Sequence, residues 1–403
     1  MQRSRDSSLF ALTLMSAAAV LVSIAAAEIL LAITCVAWII HRPAAVVWPS
    51  YIIPLCAFML TTVLALLMSA QPEVGMSSVR KFVLFTMGLL AANTVTTTVR
   101  ARVSLGVLLA IGTATSVYAL GQFATAYIHF LSTRNLADDP TVLARMTGFM
   151  GHWMTFSGEQ LLVWCAAIPA VLMLGRRWMI PLGVVGTALL LSFTRSAWLG
   201  AAAGFIVLAL LMPRKILISA ALPVAIVAAG FSGLIYHRLS FSFKEKQFGP
   251  DTGRFELFIG GVRMIKDHPL FGVGPERIHT EFPRYRGADL AEPNFYYGHL
   301  ENNIVQLAAE RGLLCLTAFL WFIFELYASL LKMLKTASGD IRWIVLSALS
   351  ALTGFMIAGL FSYNFGDSEV LLLLLFIVSL PYGVTRTLPV EDPCLANLAA
   401  IPN

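Results

Sequence analysis

Runs of mainly apolar residues, each long enough to cross a bilayer as a helix, recur along nearly the whole chain. They lie at roughly 9–25, 26–41, 50–69, 80–98, 103–124, 158–174, 178–194, 196–212, 214–235, 312–331, 343–362 and 368–385. A hydrocarbon core about 30 Å thick takes about 20 such residues per crossing, and where water is absent every backbone N–H and C=O must be paired inside the segment. The pattern predicts an all-α polytopic membrane protein with about twelve transmembrane helices. Composition agrees: 58% of the 403 residues are apolar and 12% charged, against about 45–50% and about 25% in soluble domains. A soluble globular fold is excluded. The stretch from Leu9 to Ile40 holds Glu28 as its one charge and reads as two spans or as one long tilted helix. Met1 to Arg5 followed by an apolar run resembles a signal peptide, but the run is too long, and a retained first span is expected.

Orientation follows from the basic residues of the short connections. With the N-terminus in the cytoplasm, Arg3, Arg5, Arg42, Arg100, Arg102, Arg176, Arg177, Arg214, Lys215, Lys332, Lys335, Arg342 and Arg386 all fall on that side, and the opposite short loops offer little beyond Arg80 and Lys81. Twelve spans with both termini inside satisfy this distribution, so the formal charge of +6 is largely a topology signal and implies no nucleic-acid partner. The five cysteines lie in spans or in the tail, which implies no disulfide framework. The chain divides into helices 1–5 over 1–124, a shorter extracytoplasmic loop over 125–157, helices 6–9 over 158–235, a large loop over 236–311, helices 10–12 over 312–385 and a cytoplasmic tail over 386–403.

Polar residues concentrated in two loops on one face place the chemistry there. In the larger loop Asp251-Thr252 can cap a helix starting near Gly253. Phe255, Phe258, Ile259, Val262 and Ile265 then form one apolar stripe, suited to the membrane surface or to the bundle. The helix should stop at Asp267-His268-Pro269, with a tight turn at Gly272-Val273-Gly274-Pro275. A second helix should start near Glu301 or Asn302 and run into the span at 312, leaving His299 just before its N-terminus.

Arg195 falls between two spans joined by almost no loop, and has two readings: an interface anchor paired with Trp198, or a cation aimed at a phosphate. Arg254, at the start of the amphipathic helix, is a second candidate for an anion site, with Arg263 and, more weakly, Arg145 beside it; an exposed helix-face arginine is more often just solvated. His299 can accept a proton near neutral pH, although a lone histidine is more often structural. Glu301, Asn302 and Asn303 behind it can orient its ring or bind hydroxyls, and Asp367 beside Asn364 is an alternative base. His237, His268 and His279 have no comparable setting, and no histidine, cysteine or aspartate spacing reads as a metal site.

Three stretches together resemble the O-antigen ligase family. Thr194-Arg195-Ser196-Ala197-Trp198-Leu199-Gly200 is similar to its S/T-R-x-A-W-L-G. Gly253-Arg254-Phe255 through Ile265-Lys266-Asp267-His268-Pro269-Leu270-Phe271-Gly272-Val273-Gly274 is similar to its G-R-x-x-x-W…I-x-x-H-P-L-x-G-x-G. His299, Asn302, Gln306, Leu307, Glu310 and Gly312 follow its H-x-H-N-x-x-L-Q-x-L-x-E-x-G. The likeness covers about 190–320, with Thr147-Gly148-Phe149 a weaker upstream feature. Glu301 stands where many members carry a second histidine, and Phe258 where they carry tryptophan.

The resemblance implies a GT-C-like glycosyltransferase of the bacterial inner membrane, metal-independent and without a cofactor, its site on the periplasmic face. It would move a glycan from undecaprenyl pyrophosphate to a sugar hydroxyl of lipid A-core, with inversion. His299, Arg254 and Arg195 are its expected catalytic residues, and Arg145, Arg263, Glu301 and Asn302 its substrate-binding ones. The rival readings are a polymerase of the same superfamily, which extends one lipid-linked glycan with another, and a transporter of lipid-linked sugars. Transporters usually place ionisable residues near mid-membrane, where this chain has few.

Overall fold

The computed structural model describes residues 2–41, 46–212, 225, 228–244, 253–287 and 298–385. Among these the regular elements are all helical: α1 (Gln2–Ala19), α2 (Ile24–His41), α3 (Ile52–Leu67), α4 (Met76–Arg80), α5 (Phe82–Thr94), α6 (Thr98–Thr133), α7 (Trp153–Leu174), α8 (Met179–Leu191), α9 (Arg195–Leu211), α10 (Ser232–Lys244), α11 (Arg254–Asp267), α12 (Ile278–Arg286), α13 (Asn303–Thr336), α14 (Gly339–Ala358) and α15 (Ser368–Thr385).

Six of them are long and apolar enough to cross a membrane: α2, α6, α7, α13, α14 and α15; α3 and α9 are shorter apolar helices. The twelve expected crossings are therefore six by length and apolarity among the described residues. The stretches expected at 80–98 and 178–194 form the 13-residue α5 and α8, each about 20 Å long at 1.5 Å per residue and short of the hydrocarbon thickness. The run at 9–41 is two helices, parted by a turn at 20–23 and joined where the Ser16 hydroxyl donates to Ala27 O at 2.8 Å. The helix expected over 103–124 extends to Thr133, so the shorter loop is smaller than 125–157. Most of the span expected at 214–235, the cap at Asp251-Thr252 and the tail over 386–403 lie outside the described residues.

The core sits around α7, α14 and α15, whose side chains from Val370 to Val384 are buried on all sides. Small residues let the helices close. A Cβ on Gly200 would lie 2.5 Å from Gly354 O, and one on Gly204 would lie 2.9 Å from Ser350 O, so α9 presses backbone to backbone on α14. Close approach through small residues is how helices gain packing energy where lipid removes the hydrophobic drive between them.

Outside this bundle α11, α12 and the start of α13 share a second small core of Leu257, Met264, Val273, Ile278, Phe282, Leu300 and Val305. The expected apolar stripe of α11 is not its packing face. Phe255 and Phe258 are 67% and 47% exposed, whereas Leu257, Gly260, Gly261 and Met264 are buried on the opposite side. The two glycines decide this: with no Cβ they admit the Phe282 ring and the Leu300 and Val305 side chains at contact distance, and bulky residues on the other face cannot approach as closely.

Candidate functional site

The site begins with a lock between a turn and a broken helix. Gly312 interrupts α13 with φ 82° and ψ 172°, a backbone region open essentially to glycine. The turn that follows Pro269 packs into this break. Val273 N–H donates to Ala309 O at 2.9 Å, Gly274 N–H to Glu310 O at 3.0 Å, and Leu313 N–H to Pro269 O at 2.8 Å. The Glu310 carboxylate extends the lock, accepting from Glu276 N at 3.2 Å, from Arg311 Nε at 3.1 Å and from Gln306 Nε2 at 2.5 Å. Gln306 Oε1 in turn accepts from Leu300 N at 2.7 Å. The peptide beside His299 is thus held by a buried polar chain that starts at the Gly312 break.

The other side of His299 is held by asparagines. Asn302 caps α13, its Oδ1 accepting from Ile304 N at 2.9 Å and Val305 N at 3.0 Å, while its Nδ2 donates to Leu360 O at 2.8 Å. Asn303 Nδ2 donates to Asn364 Oδ1 at 2.7 Å and Asn303 N to Gly359 O at 2.7 Å. These bonds stitch the 298–303 segment to the connection between α14 and α15, which brings Tyr363 and Asp367 to the histidine.

A small cavity of about 40 Å³ results, lined among others by His152, Ser157, Ser196, His299, Tyr363, Asn364 and Asp367. His299 Nδ1 is 3.3 Å from Glu301 Oε1, and its ring lies 5.8 Å from that of Tyr363. Burial lowers the His299 pKa to about 4, against the opposing pull of Glu310 and Glu276. The ring is therefore neutral at pH 7 and its lone pair is available. Asp367 is shifted the other way, up to about 7, first by burial and then by Glu369, with Lys81 and the Thr155 hydroxyl opposing. Two proton acceptors of different strength therefore face one cavity.

The expected arginines are distributed around it. Arg195 is the first residue of α9 and half-buried, and the next residues, Ser196 and Ala197, form part of the cavity wall. Its helix is fixed by the Gly200 contact on α14, so the residue types around Arg195 position it through packing. Arg254 is the first residue of α11 and half-buried; α11 reaches the His299 segment through the contact of Gly261 with Leu300. Arg145 donates from Nε to Val142 O at 2.9 Å and lies 4.5 Å over the Trp153 ring. Arg263 donates to Tyr285 O at 3.1 Å and Arg286 O at 2.7 Å, closing the end of α12.

The structure thus sets Glu301 beside His299 and lines one cavity with His299, Asp367 and the turn that Arg195 begins. It gives Asn302 a helix cap and Arg263 a carbonyl clasp. Sequence reasoning missed His152, whose one signal was its place just ahead of an apolar helix, and the partners of the motif residue Glu310, namely Arg311 and Ser78, where Arg311 Nη2 donates to the Ser78 hydroxyl at 3.2 Å. Of the histidines set aside, His237 pairs with Asp139 at 2.9 Å and His268 with the Tyr285 hydroxyl at 3.0 Å, both contacts that tie loop segments together. Among the described residues no group of three or more His, Cys, Asp or Glu side chains could hold a metal ion.

An apolar cleft of about 320 Å³ lies on the far side of the first turn of α9, lined by Trp164, Leu189, Leu190, Trp198, Ala201 and Phe205 among others. The Trp198 indole N–H donates to Leu190 O at 3.0 Å, which fixes that wall. One helical turn, carrying Arg195, therefore separates a polar cavity from an apolar one.

Residues 180–320 match the model of a family described as O-antigen ligase. The matched stretch contains Arg195, Arg254, His299 and Gly312. Comparison with curated proteins gives no match.

Proposed function

We propose, from the match of residues 180–320 to the O-antigen ligase family, that this membrane protein is an O-antigen ligase. Its donor is a glycan on undecaprenyl pyrophosphate and its acceptor a sugar hydroxyl of lipid A-core. It works without a metal at the periplasmic face of the inner membrane, with about twelve crossings and both termini in the cytoplasm. The observation that carries this reading is the single turn of α9 between the polar cavity with His299 and the apolar cleft with Trp198. A molecule with a long apolar tail, a diphosphate and a sugar needs these three environments in that order, and Arg195 sits at the join.

In this scheme the Glu301 carboxylate holds the proton of His299 on Nδ1, leaving Nε2 bare. Nε2 takes the proton of the acceptor hydroxyl as its oxygen bonds to the anomeric carbon of the donor sugar. The bond from that carbon to the diphosphate oxygen breaks, the electron pair leaves with the diphosphate, and attack opposite the leaving group inverts the centre. Negative charge grows on the diphosphate, and Arg195 and Arg254 stabilise it where other enzymes use a divalent cation; donors so placed are each worth about 10²–10³ in rate. Arg145, Arg263 and Asn302 line the approach of the two substrates. The exposed Phe255 and Phe258 seat α11 against the membrane surface, as the amphipathic pattern suggests.

The test is reconstitution. Purified protein in detergent, given undecaprenyl-pyrophosphate-linked glycan and lipid A-core, should yield glycan-bearing lipid A-core on a gel. Longer glycans still on the carrier lipid, with lipid A-core untouched, would identify a polymerase, and no transfer to either would remove the glycosyltransferase reading.

A further inference from the structure

Two imidazoles line the cavity, and their surroundings set them in opposite senses. His152 caps α7: its backbone is extended, and its Nδ1 accepts a hydrogen bond from Met154 N at 3.2 Å. A ring nitrogen that accepts carries no hydrogen, so the neutral His152 ring holds its proton on Nε2 and is a donor at that atom. Burial first, then Arg145 and His299, oppose a second proton and lower its pKa to about 4. His299 has the Glu301 carboxylate 3.3 Å from Nδ1, and in the proposed scheme its lone pair is on Nε2. One ring offers N–H where the other offers a lone pair.

The charges around them are divided in the same way. Arg145 acts on His152 electrostatically, and its guanidinium covers Trp153, the next residue. The Ser196 hydroxyl, on the turn that begins with Arg195, faces the same cavity. Glu301 lies beside His299, and Asp367 lines the same cavity and bonds the Thr155 hydroxyl on the first turn of α7. An anion is repelled beside Glu301 and favoured where Arg145 and the His152 Nε2–H act together, whereas a hydroxyl about to lose its proton is favoured at His299.

We infer that His152 is a substrate-contacting residue, its Nε2–H donating to a diphosphate oxygen of the lipid-linked donor while His299 takes the acceptor proton. This deepens the ligase reading and rests on it. The proton on His152 stays in place through the transfer; the ring contributes a fixed dipole aimed at charge that grows as the carbon–oxygen bond breaks.

The cap and the donor are separable by substitution. In His152→Asn the side-chain oxygen takes the place of Nδ1, since asparagine is as good a helix cap as any residue, and the amide N–H ends short of the Nε2 position. His152→Ser also caps, and its hydroxyl is too short to donate from the Nε2 position. Both variants should keep the wild-type thermal midpoint, lose about 100-fold in kcat, the lower range for removal of one such donor, and bind undecaprenyl pyrophosphate about 10-fold more weakly. Their KM for lipid A-core should stay within a few-fold, which a merely misfolded site would not give. Wild-type kcat and wild-type affinity for undecaprenyl pyrophosphate in either variant overturn the inference. A wild-type protein that neither binds undecaprenyl pyrophosphate nor transfers from it overturns the ligase reading instead.

Discussion

Gly312→Ala separates a local backbone requirement from general fragility of the bundle. A Cβ on Gly312 would lie 2.0 Å from Leu270 O, 2.3 Å from Leu270 C and 2.5 Å from Phe271 N, all backbone atoms that cannot swing aside. The dihedral region alone costs an alanine about 1–3 kcal/mol. Release of the turn also gives up the bonds to Ala309 O, Glu310 O and Pro269 O, each worth about 0.5–1.5 kcal/mol net. Those bonds are given up on opening in the wild type too, so the change in the opening equilibrium is that of the strain, about 1–3 kcal/mol or about 5- to 150-fold. Hydrogen exchange reads this at the three donors, the amides of Val273, Gly274 and Leu313, which should exchange faster by that factor. Gly339→Ala is the control, because Gly339 also has positive φ, at 53°, but no heavy atom lies within 4 Å of its would-be Cβ. That change should leave the three amides at wild-type rates. Unchanged exchange in Gly312→Ala, or equal acceleration in both variants, refutes the reasoning.

The pH response of stability should combine opposed contributions, from His299 and His152 in one sense and from Asp367 in the other. His299 goes from 6.5 to about 4 on folding, so its unfolded form binds the extra proton and stability falls as pH drops through that window; Asp367 goes from 3.8 to about 7, so its folded form binds the extra proton and stability falls as pH rises through that window. Asp367→Asn should therefore give a thermal midpoint that drops more steeply on acidification from pH 6.5 than the wild type, and His299→Gln one that drops less; unchanged slopes would contradict both assignments. His299→Ala should lower transfer about 100-fold or more, measured as turnover with protein level matched. Arg195→Ala and Arg254→Ala should each lower transfer by about 10²–10³ at normal protein level, and wild-type turnover in either removes its phosphate role. Transfer should persist in EDTA, and strict dependence on a divalent ion would count against arginine as the charge partner.

What was legible in the sequence was local. Asn302 caps α13 and Pro269 follows the end of α11 because capping and the missing proline N–H act within a few residues. Arg195 at the start of α9 follows from two apolar runs meeting with no loop. What was not legible depended on partners far along the chain. The packing face of α11 is chosen by Gly260 and Gly261, whose advantage exists only because Phe282 and Leu300 arrive to use it. The bond between Asn303 and Asn364 spans 61 residues and carries no periodic signal. Hydropathy divided the apolar run over 9–41 near 25 and left a single helix open, whereas the turn falls at 20–23, where Val20, Leu21 and Val22 are as apolar as their neighbours.

The same division explains why one motif holds residues of two kinds. Glu310 and Arg311 are buried together, 1% and 5% exposed, and a buried pair of opposite charge adds little net stability compared with apolar packing. Its effect here is geometric. Glu310 orients Gln306, Gln306 fixes the Leu300 peptide, and that peptide adjoins the ring proposed as the base. A displacement of about 1 Å at such a ring can cost about 10²-fold in rate. Gln306→Leu should therefore lower kcat while the activity that remains still titrates with His299, because it shifts the base without removing it. Loss at His299 removes the base itself, and whatever activity survives should then follow Asp367, rising with pH through about 7. The pH profile of the residual activity thus distinguishes a residue that holds the site in place from one that takes the proton.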